Sequence, residues 1–508
     1  MNTSSIDYKK LQNGSDVRGV AMEGVPGQEV NLNPPIAEKI AQSFTCWLAA
    51  QTKRPATGLK IGVGRDSRLS GPELMAAALK GIAAAGAQGF DCSMASTPAM
   101  FMSTVLPGFR FDGALMITAS HLPFNRNGMK FFTPRGGLDK GDITAILDAC
   151  PGLAPASAAA AAPTRSADLM SAYCAHLRGV IRGGIGGGDK PLSGMKIAVD
   201  AGGGAGGFFA SQVLSPLGAD LSASRFLEPD GRFSGHVPNP EDPAAMASVR
   251  EATLSGGCDL GLIFDTDVDR AGAVDADGTE FSRNRLIGLM AAIVSRQAPG
   301  SVIVTDSVTS SQLSDFIQNR LGCVHRRFRR GYRNVINEAV RLNREGVDCL
   351  LAMETSGHGA MRENYFLDDG AYLSAKIVVE LARLRREGKG LSDLLSGLQE
   401  PLEAAEFRLN IAGADFVAYG ETVLGNLAEY AAAQADWEIA PDNFEGLRVS
   451  LPAHRGWFLL RMSLHDPLMP LNIESDLPGG VKAIAGELLD FLRGCGQLDL
   501  TPMRRVQA

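Results

Sequence analysis

A serine, a histidine and a lysine stand within eleven residues, at Ser120, His121 and Lys130, directly after the apolar run Ala114-Leu115-Met116-Ile117. A run of that length, bounded by polar and turn residues, reads as a buried parallel strand. Ser120 then falls just past the carboxyl end of the strand, where open α/β sheets place their ligands. A hydroxyl nucleophile can carry chemistry there. The plainer reading is a strand-to-helix turn whose serine only caps a helix.

Two further strand ends indicate which chemistry. Asp259-Leu260-Gly261-Leu262-Ile263-Phe264 reads as another buried strand and runs into Asp265-Thr266-Asp267-Val268-Asp269-Arg270. Three carboxylates at alternating positions on one short loop repel each other unless a cation neutralises them. Oxygen-only donors suit a hard cation such as Mg²⁺, which commonly works with substrate phosphates. An EF-hand is excluded, because Arg270 stands at the sixth position where that loop needs Gly and Ala276 at the twelfth where it needs Glu. A third strand, Cys349-Leu350-Leu351-Ala352-Met353, ends in Glu354-Thr355-Ser356-Gly357-His358. A carboxylate and a hydroxyl one residue apart can hold a polar ligand by hydrogen bonds, and His358 can exchange a proton with it. As a bland alternative, Glu354 and Ser356 would only cap a helix.

In this order the motifs resemble the α-D-phosphohexomutases, the phosphoglucomutase and phosphomannomutase superfamily. The family's phosphoserine loop reads T-A-S-H-N-P and then N-G-hydrophobic-K; here Thr118-Ala119-Ser120-His121-Leu122-Pro123 and Asn127-Gly128-Met129-Lys130 match it, with Leu122 in place of Asn. The family's metal loop, D-G-D-x-D-R, is matched by Asp265 to Arg270 except for Thr266. Its sugar loop, G-E-x-S-G-H, is matched from Met353, which replaces the first Gly, to His358. Tyr365-Phe366-Leu367-Asp368-Asp369-Gly370 resembles the bacterial enzymes that accept both glucose and mannose phosphates. The stretch Gly456 to Pro467 lines up with the phosphate loop G-W-x-L-x-R-P-S-G-T-E-P; Arg461, Ser463 and Pro467 are kept, while Leu464 and His465 replace Gly and Thr. Asn13 to Gly19 resembles the amino-terminal loop, with Arg18 as the arginine beside the phosphoserine. Arg326-Arg327-Phe328-Arg329-Arg330-Gly331-Tyr332-Arg333 falls at about the place of the specificity loop.

The resemblance implies reversible phosphoryl transfer between the 1- and 6-positions of glucose and/or mannose phosphate, an isomerase activity of carbohydrate metabolism. Phosphorylated Ser120 would be the donor and a hexose 1,6-bisphosphate the intermediate and activator. It further implies Mg²⁺ on Asp265, Asp267, Asp269 and a Ser120 phosphate oxygen. Arg270 and Arg18 would stand on the transferring phosphoryl, with Lys130, His121 and His358 as candidates for moving the hydroxyl proton. Glu354, Ser356, Gly331 and Tyr332 would face the sugar, and Arg461, Ser463 and His465 the other phosphate. Two rivals stay open: a phosphoglucosamine mutase, and a non-catalytic sugar-phosphate-binding paralogue permitted by Leu122, Leu464 and His465.

The elements that must position these residues follow the same plan. Strand and helix signals alternate, which favours an α/β class of mixed sheets covered by helices. The expected division is 1–155 with the serine loop, 165–283 with the aspartate loop, 284–403 with the sugar loop, and a smaller α+β domain over 404–508 with the phosphate loop, around a central cleft. A Pro- and Ala-rich linker or low-complexity helix is expected over 151–163, and a loose stretch from Gly183 to Pro191. Hydrophobic content of 45% with 21% charged residues suits buried cores rather than disorder. Eight cysteines without a C-x-x-C pair point away from a disulfide framework or zinc site. No apolar run approaches a transmembrane length, and the amino terminus lacks the apolar core of a secretory signal, so the expected place is the cytoplasm, as a monomer or homodimer. The Arg-rich stretch could bind nucleic acid, but a net charge of -7 argues against an extended basic surface. Gly202, Gly204 and Gly207 with Asp220 satisfy a dinucleotide fingerprint, though in a run so glycine-rich that the pattern fits by chance.

Overall fold

The computed structural model describes residues 7–153, 163–186, 188–413, 415–463 and 466–507. Most of the expected linker over 151–163 lies outside the described residues, as do Leu464 and His465. The chain forms two compact units, Met1–Ile293 with Ser356–Leu394, and Val294–Thr355 with Leu395–Ala508.

In the first unit the strand Gly113–Ile117 is buried at every position. It runs parallel to Lys60–Arg65 and antiparallel to Arg126–Thr133, so the sheet is mixed. Lys60–Arg65 also pairs in parallel with Gln88–Met94, and Asp16–Val20 lies antiparallel on Arg126–Thr133 with Arg18 opposite Gly128. Gly128 permits that crossing, because a Cβ there would stand 2.2 Å from the Val17 carbonyl oxygen and 2.9 Å from Arg18 Cδ. A second sheet pairs Ile197–Asp200 in parallel with Leu260–Phe264, which turns back antiparallel onto Ala271–Asp275. The aspartate loop is therefore the connection of a hairpin.

The helix Leu169–Ile185 runs on through Gly183 and Gly184, where a loose stretch is expected. Gly184 presses on Val379 of the helix Gly370–Arg385: a Cβ at Gly184 would stand 2.6 Å from Val379 Cγ1. Close helix packing thus outweighs the poor helix propensity of glycine.

In the second unit Val302–Asp306 runs parallel to both Val324–Phe328 and Cys349–Met353. Its carboxy-terminal part is an antiparallel five-stranded sheet in the order Glu403–Asn410, Leu468–Ser475, Gly456–Leu460, Leu447–Leu451, Glu438–Ile439. The helices Phe416–Ala432 and Gly480–Leu492 bury Leu427, Ile484 and Leu488 in one core with Phe458 and Ile473 of that sheet. This is the α+β arrangement expected after residue 404. Among the described residues no helix is long and apolar enough to cross a membrane. All eight cysteines are free thiols.

Candidate active site

The serine loop leaves the buried strand Gly113–Ile117 in a strained conformation. Ser120 is buried and has φ of 51°, the left-handed region that a non-glycine residue enters only when its surroundings hold it there. Its N–H donates to Thr118 Oγ1 at 2.9 Å. Its hydroxyl donates to Asp265 Oδ2 at 2.9 Å, and His121 Nδ1 lies 3.4 Å away. Burial, then the positive charges of Arg270 and Arg18, press the His121 imidazole down to about 3. Arg18 donates to the Thr118 carbonyl at 2.8 Å and to Asp16 Oδ2 at 2.9 Å, which fixes it beside the root of the loop.

The hairpin connection brings Asp265, Asp267 and Asp269 together, fully buried, with one oxygen from each within 4.8 Å of the others. Val268 between them has φ of 66°, an outlier for a β-branched residue. Burial first, then Asp269 and Asp267, push the Asp265 carboxyl well above the usual range. Burial and Asp269 oppose the Asp267 charge, yet Lys130 and Thr97 prevail and hold it low. For Asp269 burial is likewise outweighed, by Lys130 and Arg270. Lys130 donates to Asp267 Oδ2 at 3.0 Å and also to Asp269. Burial would lower its ammonium, but Asp267 and Asp269 hold it well above its ordinary value. Asp267 Oδ1 and Asp269 Oδ1 are buried without a hydrogen-bond partner. Orphaned carboxylate oxygens in an all-oxygen cluster are what a hard divalent cation requires, so these residues fit a metal ion.

Arg270 and His358 meet beside this cluster. Arg270 Nε donates to His358 Nε2 at 3.2 Å, and Ser356 Oγ lies 2.8 Å from His358 Nδ1. With Nε2 accepting, the proton sits on Nδ1 and points at Ser356. Burial, then Arg270 and Lys130, keep the imidazole well below its usual pKa and so neutral. Asp368 completes a second buried cluster with Asp269 and His358.

The sugar- and phosphate-loop residues of the second unit have their own partners. Glu354 Oε1 accepts the Gly331 N–H at 2.6 Å, and Gly331, with φ of 112°, leads into the helix that starts at Tyr332. Arg461 Nη1 stands 3.7 Å from Glu445 Oε1, while Glu445 Oε2 accepts the Arg330 N–H at 3.0 Å. Burial lowers the Arg461 guanidinium, and its Nε is buried without a hydrogen-bond partner. Ser463 Oγ accepts the Asp466 N–H at 3.2 Å. Three arginines of the Arg-rich stretch are engaged internally: Arg326 on Glu338, Arg327 on the Ser310 carbonyl and Arg329 on the Phe444 carbonyl.

Three contributors escape a reading of motifs. Arg68 is fully buried and donates to the carbonyls of Ser120, Leu122, Pro123 and Arg126. Thr97 donates its hydroxyl to Asp267 Oδ2 and its N–H to the Asp267 carbonyl. In the second unit Asp306 accepts from Thr355 Oγ1 at 2.7 Å. Each sits at or just past a strand end, at Asp66-Ser67-Arg68 after Lys60–Arg65, Ser96-Thr97-Pro98 after Gln88–Met94, and the last residue of Val302–Asp306. That position is the one signal that finds them. The glycine-rich dinucleotide pattern is used otherwise: a Cβ on Gly204 would stand 2.8 Å from Thr266 Cα, and one on Gly207 2.1 Å from the Leu227 carbonyl oxygen. The chain itself takes the close approach that a pyrophosphate would need.

Comparison with known proteins places the chain in a family. Three successive family descriptions match: phosphoglucomutase/phosphomannomutase alpha/beta/alpha domain I over residues 9–150, domain II over 173–278 and domain III over 282–402. A phosphoglucomutase of Neisseria meningitidis serogroup B is 30% identical over 429 residues, 84% of this chain and 87% of that protein. A phosphomannomutase/phosphoglucomutase of Pseudomonas aeruginosa is 29% identical over 425 residues, 82% of this chain and 83% of the relative. The crystal structure of a phosphoglucomutase/phosphomannomutase family protein from Burkholderia thailandensis superposes with a TM-score of 0.78 at 26% identity, covering 98% of each chain. With all three family descriptions matched in order along it, this chain belongs to the phosphoglucomutase/phosphomannomutase family of α-D-phosphohexomutases.

Proposed function

We propose that the protein interconverts the 1- and 6-phosphates of a hexose, glucose and/or mannose, through a phosphoserine at Ser120 and a hexose 1,6-bisphosphate. The observation that carries this reading is the Ser120 hydroxyl at 2.9 Å from Asp265 Oδ2, against three buried aspartates. In the forward half-reaction the bond between phosphorus and Ser120 Oγ breaks and one to the free sugar hydroxyl forms. The sugar hydroxyl gives up its proton and Ser120 regains one. The bisphosphate then turns over and its other phosphoryl group returns to Ser120 by the reverse step.

Phosphoryl transfer needs positioning and charge neutralisation more than covalent help. Mg²⁺ held by Asp265, Asp267, Asp269 and a phosphoserine oxygen would neutralise charge on the transferring group. Arg270, steered by His358, and Arg18, fixed by Asp16, are suited to the phosphoryl oxygens. Lys130, His121 and His358 remain the groups proposed to hold or move the hydroxyl proton. Glu354, Ser356, Gly331 and Tyr332 are assigned to the sugar, and Arg461 and Ser463 to its second phosphate. The four segments 1–155, 165–283, 284–403 and 404–508 are the domains that carry these loops, a division supported by the bounds of the three matched families.

The test is a coupled assay for conversion of glucose 1-phosphate and, separately, mannose 1-phosphate, with Mg²⁺ and a trace of hexose 1,6-bisphosphate. Turnover is expected with at least one sugar and is expected to vanish with a chelator. Absence of turnover with both, from folded protein phosphorylated on Ser120, would refute the assignment.

A further inference from the structure

The connection after Arg225 contains two aromatic residues in the left-handed region, Phe226 with φ of 49° and Phe233 with φ of 55°. Neither has the small polar side chain that tolerates this conformation, so the surroundings must impose it. They do so with several contacts. Asp230 donates its N–H to the Gly203 carbonyl at 2.7 Å, and its carboxylate accepts the N–H groups of Arg232 at 3.0 Å and Ser234 at 2.8 Å. Gly231 lies so close to the neighbouring sheet's loop that a Cβ would stand 2.6 Å from the Ser67 carbonyl oxygen. His236 Nε2 lies 3.0 Å from Asp200 at the end of Ile197–Asp200 and ties down the far side.

The same connection carries Phe233 to the serine loop's anchor. The Phe233 ring lies over Arg68, with Cζ 5.0 Å from the ring centroid. Arg68 is the residue whose four terminal N–H groups grip the carbonyls of Ser120, Leu122, Pro123 and Arg126, while its Nε faces Asp66 Oδ2 at 3.3 Å. A guanidinium has five N–H donors, and all of them are directed in the plane. The Nε makes no hydrogen bond, so the in-plane hold comes from the four terminal donors, and Phe233 covers one face.

We propose that Phe233 is a positioning residue for phosphoryl transfer: by holding the Arg68 guanidinium in one plane, it keeps the serine loop in the strained conformation that aims Ser120 at the aspartates. The contact joins the segment that carries the aspartate loop to the segment that carries the serine loop. It requires a π face rather than bulk, because a cation is attracted by the quadrupole of the ring. The proposal rests on the mutase reading only for its effect on rate; the effect on the loop stands apart from it.

The experiment compares Phe233→Leu with Phe233→Tyr in the full chain, by amide hydrogen exchange over residues 118–126 and by kcat and KM for the sugar phosphate that wild type turns over. Phe233→Leu is expected to speed exchange in that loop and to lower kcat about fivefold to tenfold with KM within about twofold, a size set by cation–π energies. Phe233→Tyr is expected to keep both near wild type, since it retains the π face. Wild-type exchange of the loop in Phe233→Leu would overturn the proposal, as would equal effects of Leu and Tyr. Faster exchange in Phe233→Leu together with a wild type inactive on every sugar phosphate would uphold the positioning role and reject the mutase reading.

Discussion

The Ser120 hydroxyl donates to Asp265 Oδ2 at 2.9 Å across 145 residues of sequence, joining the ends of two separate sheets. The bond holds the serine oxygen against a carboxyl that burial and its neighbours Asp269 and Asp267 keep well above its ordinary range. Ser120→Ala is expected to fold normally, to lack phosphate by intact mass, and to lose activity to below about one thousandth of wild type, as befits removal of a covalent nucleophile. Residual turnover near wild type would remove Ser120 from the chemistry.

Cation binding has a signature independent of turnover. Like charges and orphaned oxygens at Asp267 and Asp269 destabilise the apo site, and a ligand that binds only the native state raises the melting temperature. Adding Mg²⁺ is expected to raise Tm by a few degrees in wild type and to do so much less in Asp267→Asn. Equal shifts in both proteins, by differential scanning fluorimetry, would argue for a site elsewhere.

Ser120, the three aspartates and Arg270 are legible in the sequence because each lies in a short contiguous motif behind a recognisable apolar strand. The strands themselves are legible for the same reason, and Gly113–Ile117, Leu260–Phe264 and Cys349–Met353 all appear where apolar runs place them. Arg68 and Thr97 are not, since their roles come from convergence of strand ends that no local pattern encodes. Gly183 and Gly184 mislead in the other direction: two adjacent glycines look like a break, but a distant valine makes a helix there the tighter packing.

Those glycines can be separated experimentally. Gly184→Ala brings a Cβ within 2.6 Å of Val379 and is expected to cost about 1–3 kcal/mol by overpacking. Gly183, with open space around its Cβ position in the same helix, should gain about 0.5–1 kcal/mol as alanine. Urea denaturation of the two variants measures both, and the opposite signs are the expected result.

Stability should also depend on Glu474. Burial raises its carboxyl to about 7, partly offset by Arg448 and by the Trp457 N–H, which donates to Glu474 Oε2 at 3.0 Å. A carboxyl whose folded pKa lies above the unfolded value favours folding fully below the unfolded value near 4.5, and that contribution is lost as pH rises through about 7. Glu474→Gln, which imitates the neutral form, is expected to raise Tm at pH 8 and to leave it little changed at pH 4.5. Thermal melts at the two pH values decide it; an unchanged difference between the proteins would mean that ionisation of Glu474 is not linked to folding.

Arg68 grips its loop through the carbonyls of Ser120, Leu122, Pro123 and Arg126 and never through their side chains. A peptide carbonyl is the same whatever residue bears it. This grip is therefore indifferent to the side chain at Leu122, whose carbonyl Arg68 holds as it would that of any other residue, whereas the Thr118 hydroxyl on the Ser120 N–H is a hold that a substitution would remove. A substitution at Leu122 can change the chemistry of the loop's surface while leaving that grip on the backbone in place.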